Sequence, residues 1–229
     1  MSGGFQRLGS NIVMGPMIKY ALGLTGKTKP KICYIGTASG DAAQFITGFY
    51  DACLEQTVTP SHLQLFTAPN VSDVRRFLLN QDTIWVPGGS VANLLAVWQV
   101  HGLGDVLREA WEQGIVLAGS SAGSICWHTS GTTDSFGPEL RAVTNGLGFL
   151  SYANGVHYDT EEQRRPFLQS LVAQGTLGEA YATDEGTGLH YIGDTLHKAI
   201  SDTPDKWAYH VVKDGDGVKE TKLPTELLI

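Results

Sequence analysis

Residues 114–128 read Gly-Ile-Val-Leu-Ala-Gly-Ser-Ser-Ala-Gly-Ser-Ile-Cys-Trp-His. Residues 114–118 form a short apolar run of strand character, and residues 124–128 open like a helix. Between them stands Gly119-Ser120-Ser121-Ala122-Gly123, a Gly-x-Ser-x-Gly set between strand and helix. That context makes it a nucleophile elbow, a turn so tight that only glycine is tolerated at the flanks. The turn pushes the Ser121 hydroxyl out of the fold, at a helix N-terminus whose unpaired amides favour a developing negative charge.

Outward from the elbow, strand-like and helix-like stretches alternate. Residues 32–35 are a continuous apolar run stopped by Gly36, as expected of a strand buried on both faces. Residues 41–53 carry helical spacing through Phe45, Phe49 and Cys53, and residues 63–66 read as the next strand. Ser72 is placed to cap a helix through Leu79, and residues 83–86 form a strand closed by Pro87-Gly88-Gly89. Residues 91–100 and 106–113 are helical, and residues 115–118 feed the elbow. The alternation predicts an α/β fold, doubly wound, with a largely parallel sheet and helices on both faces, in one domain over residues 1–229. Short strands at 199–200 and 208–212 are expected as antiparallel additions at one edge.

Composition narrows the function. The chain has 229 residues, 42% of them hydrophobic, a net charge of −7 and no basic stripe, which excludes a nucleic-acid partner. Cys33, Cys53 and Cys126 form no CxxC pair and read as core thiols in a reducing cytosol. No basic-then-apolar leader and no 18-residue apolar window stand out, so the expectation is a cytoplasmic protein that does not span a membrane. No His/Cys/Glu group has metal spacing, and neither a P-loop nor a dinucleotide fingerprint occurs, so no metal or cofactor is expected.

A serine hydroxyl needs a base to take its proton and a third group to orient that base. His157 ends an apolar segment, where a strand would deliver it to the functional edge of the sheet. His128, seven residues after Ser121 on the expected helix, would lie about 10 Å away. His62, His101, His190, His197 and His210 sit in or beside apolar elements and read as structural. Asp134, Asp159 and the pair Asp184-Glu185 all remain open as the acid. The Ala122 amide supplies one oxyanion donor, and Gly88-Gly89 either supplies a second or makes a plain turn capped by Ser90 or Asn93.

Several ordered stretches together resemble the aspartyl dipeptidase (peptidase E) family of serine peptidases, whose relatives include cyanophycinase. They are PKICYIGTASGD at 30–41, QDTIWVPGGS at 81–90, VLREAWEQGIVLAGSSAGSICW at 106–127, TDSFG at 133–137, HYDTEEQRRPF at 157–167 and ATDEGTGLHY at 182–191. The resemblance implies a class I glutamine-amidotransferase-like fold. It also implies Ser121 as nucleophile, His157 as base, Glu185 as acid, and Gly89 and Ala122 as the oxyanion amides. The chain departs from the family at Ser90, where Asn is usual, and at Asp184-Glu185-Gly186, where Asp-Asp-Gly is frequent.

The reading is a serine exopeptidase that cleaves dipeptides or short peptides through an acyl-enzyme. A small peptide is the expected partner, and a homodimer is left open. Asp159, Glu161 and Glu162 are candidates for a substrate ammonium, and Arg164 and Arg165 for the carboxylate of an N-terminal aspartate. The competing view of these residues is a solvated helix start. An esterase or other amidase on the same site, or a catalytically silent ligand-binding member, are the alternative functions.

Overall fold

The computed structural model describes residues 1–8 and 11–228. The N-terminal half runs β1 (Phe5–Leu8), β2 (Asn11–Met14), α1 (Pro16–Gly23), β3 (Lys31–Ile35), α2 (Ala43–Cys53), β4 (Thr59–Leu63), α3 (Val74–Leu79), β5 (Thr83–Val86), α4 (Val91–Val100), α5 (Leu103–Glu112) and β6 (Val116–Gly119). After the elbow come α6 (Ala122–Ile125), β7 (His128–Thr133), β8 (Arg141–Val143), β9 (Leu150–Gly155), α7 (Arg164–Ala173) and β10 (Ala180–Thr183). The last stretch is all strand: β11 (Thr187–Ile192), β12 (Thr195–Ser201), β13 (Ala208–Asp214), β14 (Gly217–Leu223) and β15 (Thr225–Leu227).

Strands β4-β3-β5-β6 form one wholly parallel sheet. Side chains alternate across it, as a period of two requires. Cys33, Ile35, Ile84 and Val86 enter a core with Leu94, Trp98, Leu107 and Ala110 of α4 and α5. Ile32, Tyr34 and Trp85 face the other way, onto Ile18, Phe49 and Ala52 of α1 and α2. Helices therefore cover both faces, and each large side chain removed from water contributes roughly 1.5–3 kcal/mol.

A single continuous sheet does not form. The remaining core strands make a second, six-stranded sheet, β14-β13-β10-β9-β7-β8, parallel across β7, β9 and β10 and antiparallel at its edges. Geometry explains the division. A parallel crossover needs a dozen or more residues, whereas only residues 120–127, with the four-residue α6 among them, separate β6 from β7. Strand β7 therefore leaves the first sheet and begins another. Helix α7 packs Leu168, Leu171 and Val172 against Ala180, Ala182 and Val211 of the second sheet. The antiparallel pairing expected for residues 208–212 is met by β13, which pairs with β10, although β14 and not β13 is the edge strand. Residues 199–200 instead lie in β12 of a third sheet, β11-β12-β15.

Three further expectations are corrected. The strand expected at 63–66 forms earlier, at Thr59–Leu63. The helix after the elbow is one turn long, and His128 opens β7 instead of extending that helix. The helix expected from Ser72 starts at Val74, with Asp73 as its cap.

Candidate active site

The strands of the first sheet end together, and the turns after β3, β5 and β6 meet there. Ser121 has φ 53° and ψ −114°, a conformation that a non-glycine residue holds only when its surroundings impose it. The β5 backbone imposes it. A Cβ on Gly123 would sit 1.9 Å from the Val86 carbonyl oxygen, and one on Gly119 would sit 2.4 Å from the same atom. The elbow can lie this close to β5 only with glycine on both sides of the serine pair.

Gly88 of the neighbouring turn packs directly on the serine. A Cβ there would lie 3.2 Å from Ser121 Cβ and 3.7 Å from its Oγ. Next to it, Gly89 adopts φ +138° against the backbone of Ala38. Ser90 caps α4 by accepting a hydrogen bond from the Asn93 N–H. The N–H groups of Gly89 and Ala122 have no acceptor among the described residues. Because α6 is a single turn, these amides matter more than any helix dipole.

His157 and Glu185 come from the second sheet, just beyond the carboxyl ends of the paired parallel strands β9 and β10. Nδ1 of His157 lies 2.6 Å from Oε2 of Glu185. Donation from Nδ1–H to this carboxylate leaves Nε2 as the free, basic edge of the ring. His157 itself has φ 55°, a second left-handed residue at the same edge. Asn154 of β9 links the halves, since its Oδ1 accepts from the Ser124 hydroxyl at 2.8 Å.

Of the acids left open by the sequence, Glu185 is the one on His157. Asp159 lies one step behind: its Oδ1 accepts the Glu185 N–H at 2.8 Å, and its other oxygen pairs with Lys206. Burial favours protonation of Asp159, but the hydrogen bonds from Lys206 and the Glu185 amide outweigh it and hold the carboxyl below its ordinary range. Asp134 meets Arg164 at 3.7 Å instead.

The arginines expected to meet a substrate carboxylate are occupied within the protein. Arg164 is buried, bonded to Glu161 at 2.7 Å and to the Thr132 carbonyl at 3.2 Å. Arg165 pairs with Glu220 and lies over the Tyr158 and Tyr209 rings. Glu161 is thereby occupied as well, whereas exposed Glu162 meets no cation among the described residues. His62 and His190 are held by Tyr50 and Tyr20, each at 2.8 Å, and His210 by Glu179. His128 is buried, its Nδ1 2.9 Å from the Ser124 carbonyl, and burial pushes its pKa down to about 3. No signal in the sequence marked Met1 and Ser2, which reach the same edge: the Ser121 N–H donates to the Met1 carbonyl and the His157 N–H to the Ser2 hydroxyl, both at 3.0 Å. Among the described residues no group of three or more His, Cys, Asp or Glu could hold a metal ion.

The sequence pattern of peptidase family S51 matches residues 6–199. The chain belongs to peptidase family S51. It is a serine-type peptidase, 40% identical over 226 residues to the uncharacterized peptidase YgaJ of Bacillus subtilis (strain 168), covering 99% of this chain and 96% of that one. Its fold is similar to the crystal structure of a peptidase from an acI-B1 Actinobacterium, with a TM-score of 0.65 at 18% identity, over 93% of this chain and 90% of that one. Among the described residues no helix of this S51 member is long and apolar enough to cross a membrane.

Proposed function

We propose that this S51 peptidase is a single-domain serine exopeptidase on a class I glutamine-amidotransferase-like scaffold, cleaving dipeptides and short peptides through an acyl-enzyme. The observation that carries the reading is the 2.6 Å contact of His157 with Glu185 at the strand ends that also present the strained Ser121. In this mechanism Ser121 Oγ attacks the scissile carbonyl carbon while His157 Nε2 takes the hydroxyl proton. Glu185 stabilises the imidazolium, and the Ala122 and Gly89 N–H groups receive the oxyanion. His157 then delivers its proton to the leaving amine, the C–N bond breaks, and an ester remains on Ser121. Water attacks that ester, giving one proton to His157, which returns it to Oγ as the acid departs.

An exopeptidase must recognise a free ammonium, and Glu162 is the unengaged carboxylate of the segment that follows His157. Arg164 and Arg165 are occupied, and Lys206, which reaches the His–Glu pair through Asp159, is likewise paired with that carboxylate. Any preference for N-terminal aspartate would require one of these cations to exchange its carboxylate partner for that of the substrate.

Steady-state hydrolysis of Asp-Leu, Leu-Leu and their N-acetylated forms tests the proposal. Free dipeptides should be cleaved with kcat/KM well above that of the blocked forms. Equal turnover of free and blocked peptides removes the exopeptidase reading, and equal turnover of Asp-Leu and Leu-Leu removes the aspartate preference.

A further inference from the structure

We infer that Ser2 is a positioning residue of the catalytic site, holding the His157 turn and the Glu185 turn in register with the elbow. The inference rests on the Ser121–His157–Glu185 reading above. Ser2 is fully buried and uses every polar atom it has. Its Oγ accepts the His157 N–H at 3.0 Å and lies 2.9 Å from Oγ1 of Thr183, the last residue of β10. Its carbonyl accepts the N–H of Gly186, directly after Glu185, and its own N–H donates to the Thr187 carbonyl at 2.9 Å. The preceding carbonyl, that of Met1, accepts the Ser121 N–H at 3.0 Å.

Two consecutive residues thus touch the backbone at, or immediately after, all three members of the triad. Consecutive Cα atoms are 3.8 Å apart across a trans peptide, so these contacts tie three separate turns to one short rod. The need for such a tie follows from the backbone. Ser121 and His157 both hold left-handed φ values without being glycine, and such conformations persist only where neighbours over-determine them. Gly186, at φ +74°, turns so tightly that a Cβ would lie 2.6 Å from the Asp202 carboxylate. The His157 amide has one acceptor among the described residues, and it is the Ser2 hydroxyl. Without it, the ring that must face both Ser121 and Glu185 loses the bond that fixes its backbone. Misplacement of a catalytic group by about 1 Å is enough to cost on the order of 100-fold in rate.

The test compares wild type, Ser2→Ala, Thr183→Val and, as a remote control, Ser61→Ala, whose hydroxyl bonds Gln81 at the far strand β4. The readouts are kcat and KM on a dipeptide, the rate of fluorophosphonate modification of Ser121, the melting temperature, and the downfield NMR signal of the His157 Nδ1 proton held by Glu185. Ser2→Ala should lower kcat and the labelling rate together by about 10-fold or more, with KM within about twofold, and shift or broaden the downfield signal. Thr183→Val, which frees the Ser2 hydroxyl to rotate, should move the same quantities by less. Ser61→Ala should alter only the melting temperature. Wild-type kcat with an unmoved downfield signal in Ser2→Ala overturns the inference, as does an equal kcat loss in Ser61→Ala. If Ser2→Ala does not fold, Thr183→Val decides: a loss confined to kcat supports the role and wild-type kcat overturns it. A wild-type enzyme that is not labelled at Ser121 overturns the triad reading together with this one, whereas a labelled wild type with an undiminished Ser2→Ala overturns this one alone.

Discussion

His157 and Glu185 follow the neighbouring parallel strands β9 and β10, and their side chains meet at 2.6 Å just past the strand ends. In β9 and β10, Gly155 is opposite Ala182, so the two side chains follow at offsets of two and three residues from one register point. Parallel pairing thus makes the two turns neighbours, and the Asp159 hydrogen bond to the Glu185 amide sets the second turn.

Glu185→Gln is expected to lower kcat by about 10⁴-fold while leaving the fold unchanged. The amide keeps the shape but cannot support an imidazolium, and it favours the wrong ring tautomer. Steady-state kinetics with a melting curve checks this, and Asp134→Asn should stay within a few-fold of wild type because Asp134 meets Arg164 and not His157.

Gly123→Ala is expected to act on the fold first. Its Cβ would fall 1.9 Å from the Val86 carbonyl, so either β5 or the elbow must move. The expected loss is roughly 3 kcal/mol or more, which for a chain of this size lowers Tm on the order of 10 °C. Differential scanning calorimetry measures it. A variant with wild-type Tm would mean that β5 and the elbow are not packed this closely.

Stability should fall with acid through His128. Burial depresses its folded pKa to about 3, below the ordinary value of 6.5, so the unfolded chain binds the proton more readily. The contribution is fully present above pH 6.5 and is lost as pH falls toward 3. Denaturant unfolding from pH 7 to pH 4 should show this loss, amounting to a few kcal/mol in all. His128→Asn, which keeps a donor for the Ser124 carbonyl, should flatten the difference. An unchanged slope in the variant would show that His128 does not carry the dependence.

The elbow was legible because its requirements are local: a strand, glycine on each side of the serine pair, and a turn. The same holds for β3 and β5, whose apolar runs match buried parallel strands. Strand β4 was not legible because its residues, Thr-Pro-Ser-His-Leu, look like a loop. It lies at the sheet edge and pairs only with β3, where proline is tolerated and burial is partial. The length of α6 was also hidden, since Ile125, Cys126 and Trp127 suit a helix as well as the core they enter. Adjacency to an apolar strand favoured His157, but its contact with Glu185 depends on strand pairing that the sequence does not display. The pairing of Arg164 and Arg165 was not legible, because charge type shows in sequence while the partners, Glu161 and Glu220, are set by the packing of α7. Ser2 carried no signal, since its role depends wholly on long-range backbone contacts.

The most direct test of the central claim is mass-spectrometric mapping after treatment with a fluorophosphonate. The account predicts one stoichiometric adduct, on Ser121, which persists in Ser120→Ala and disappears in Ser121→Ala together with peptide hydrolysis, a loss of about 10⁶-fold in kcat. An adduct on Ser120 or elsewhere, or hydrolysis that survives in Ser121→Ala, would contradict it.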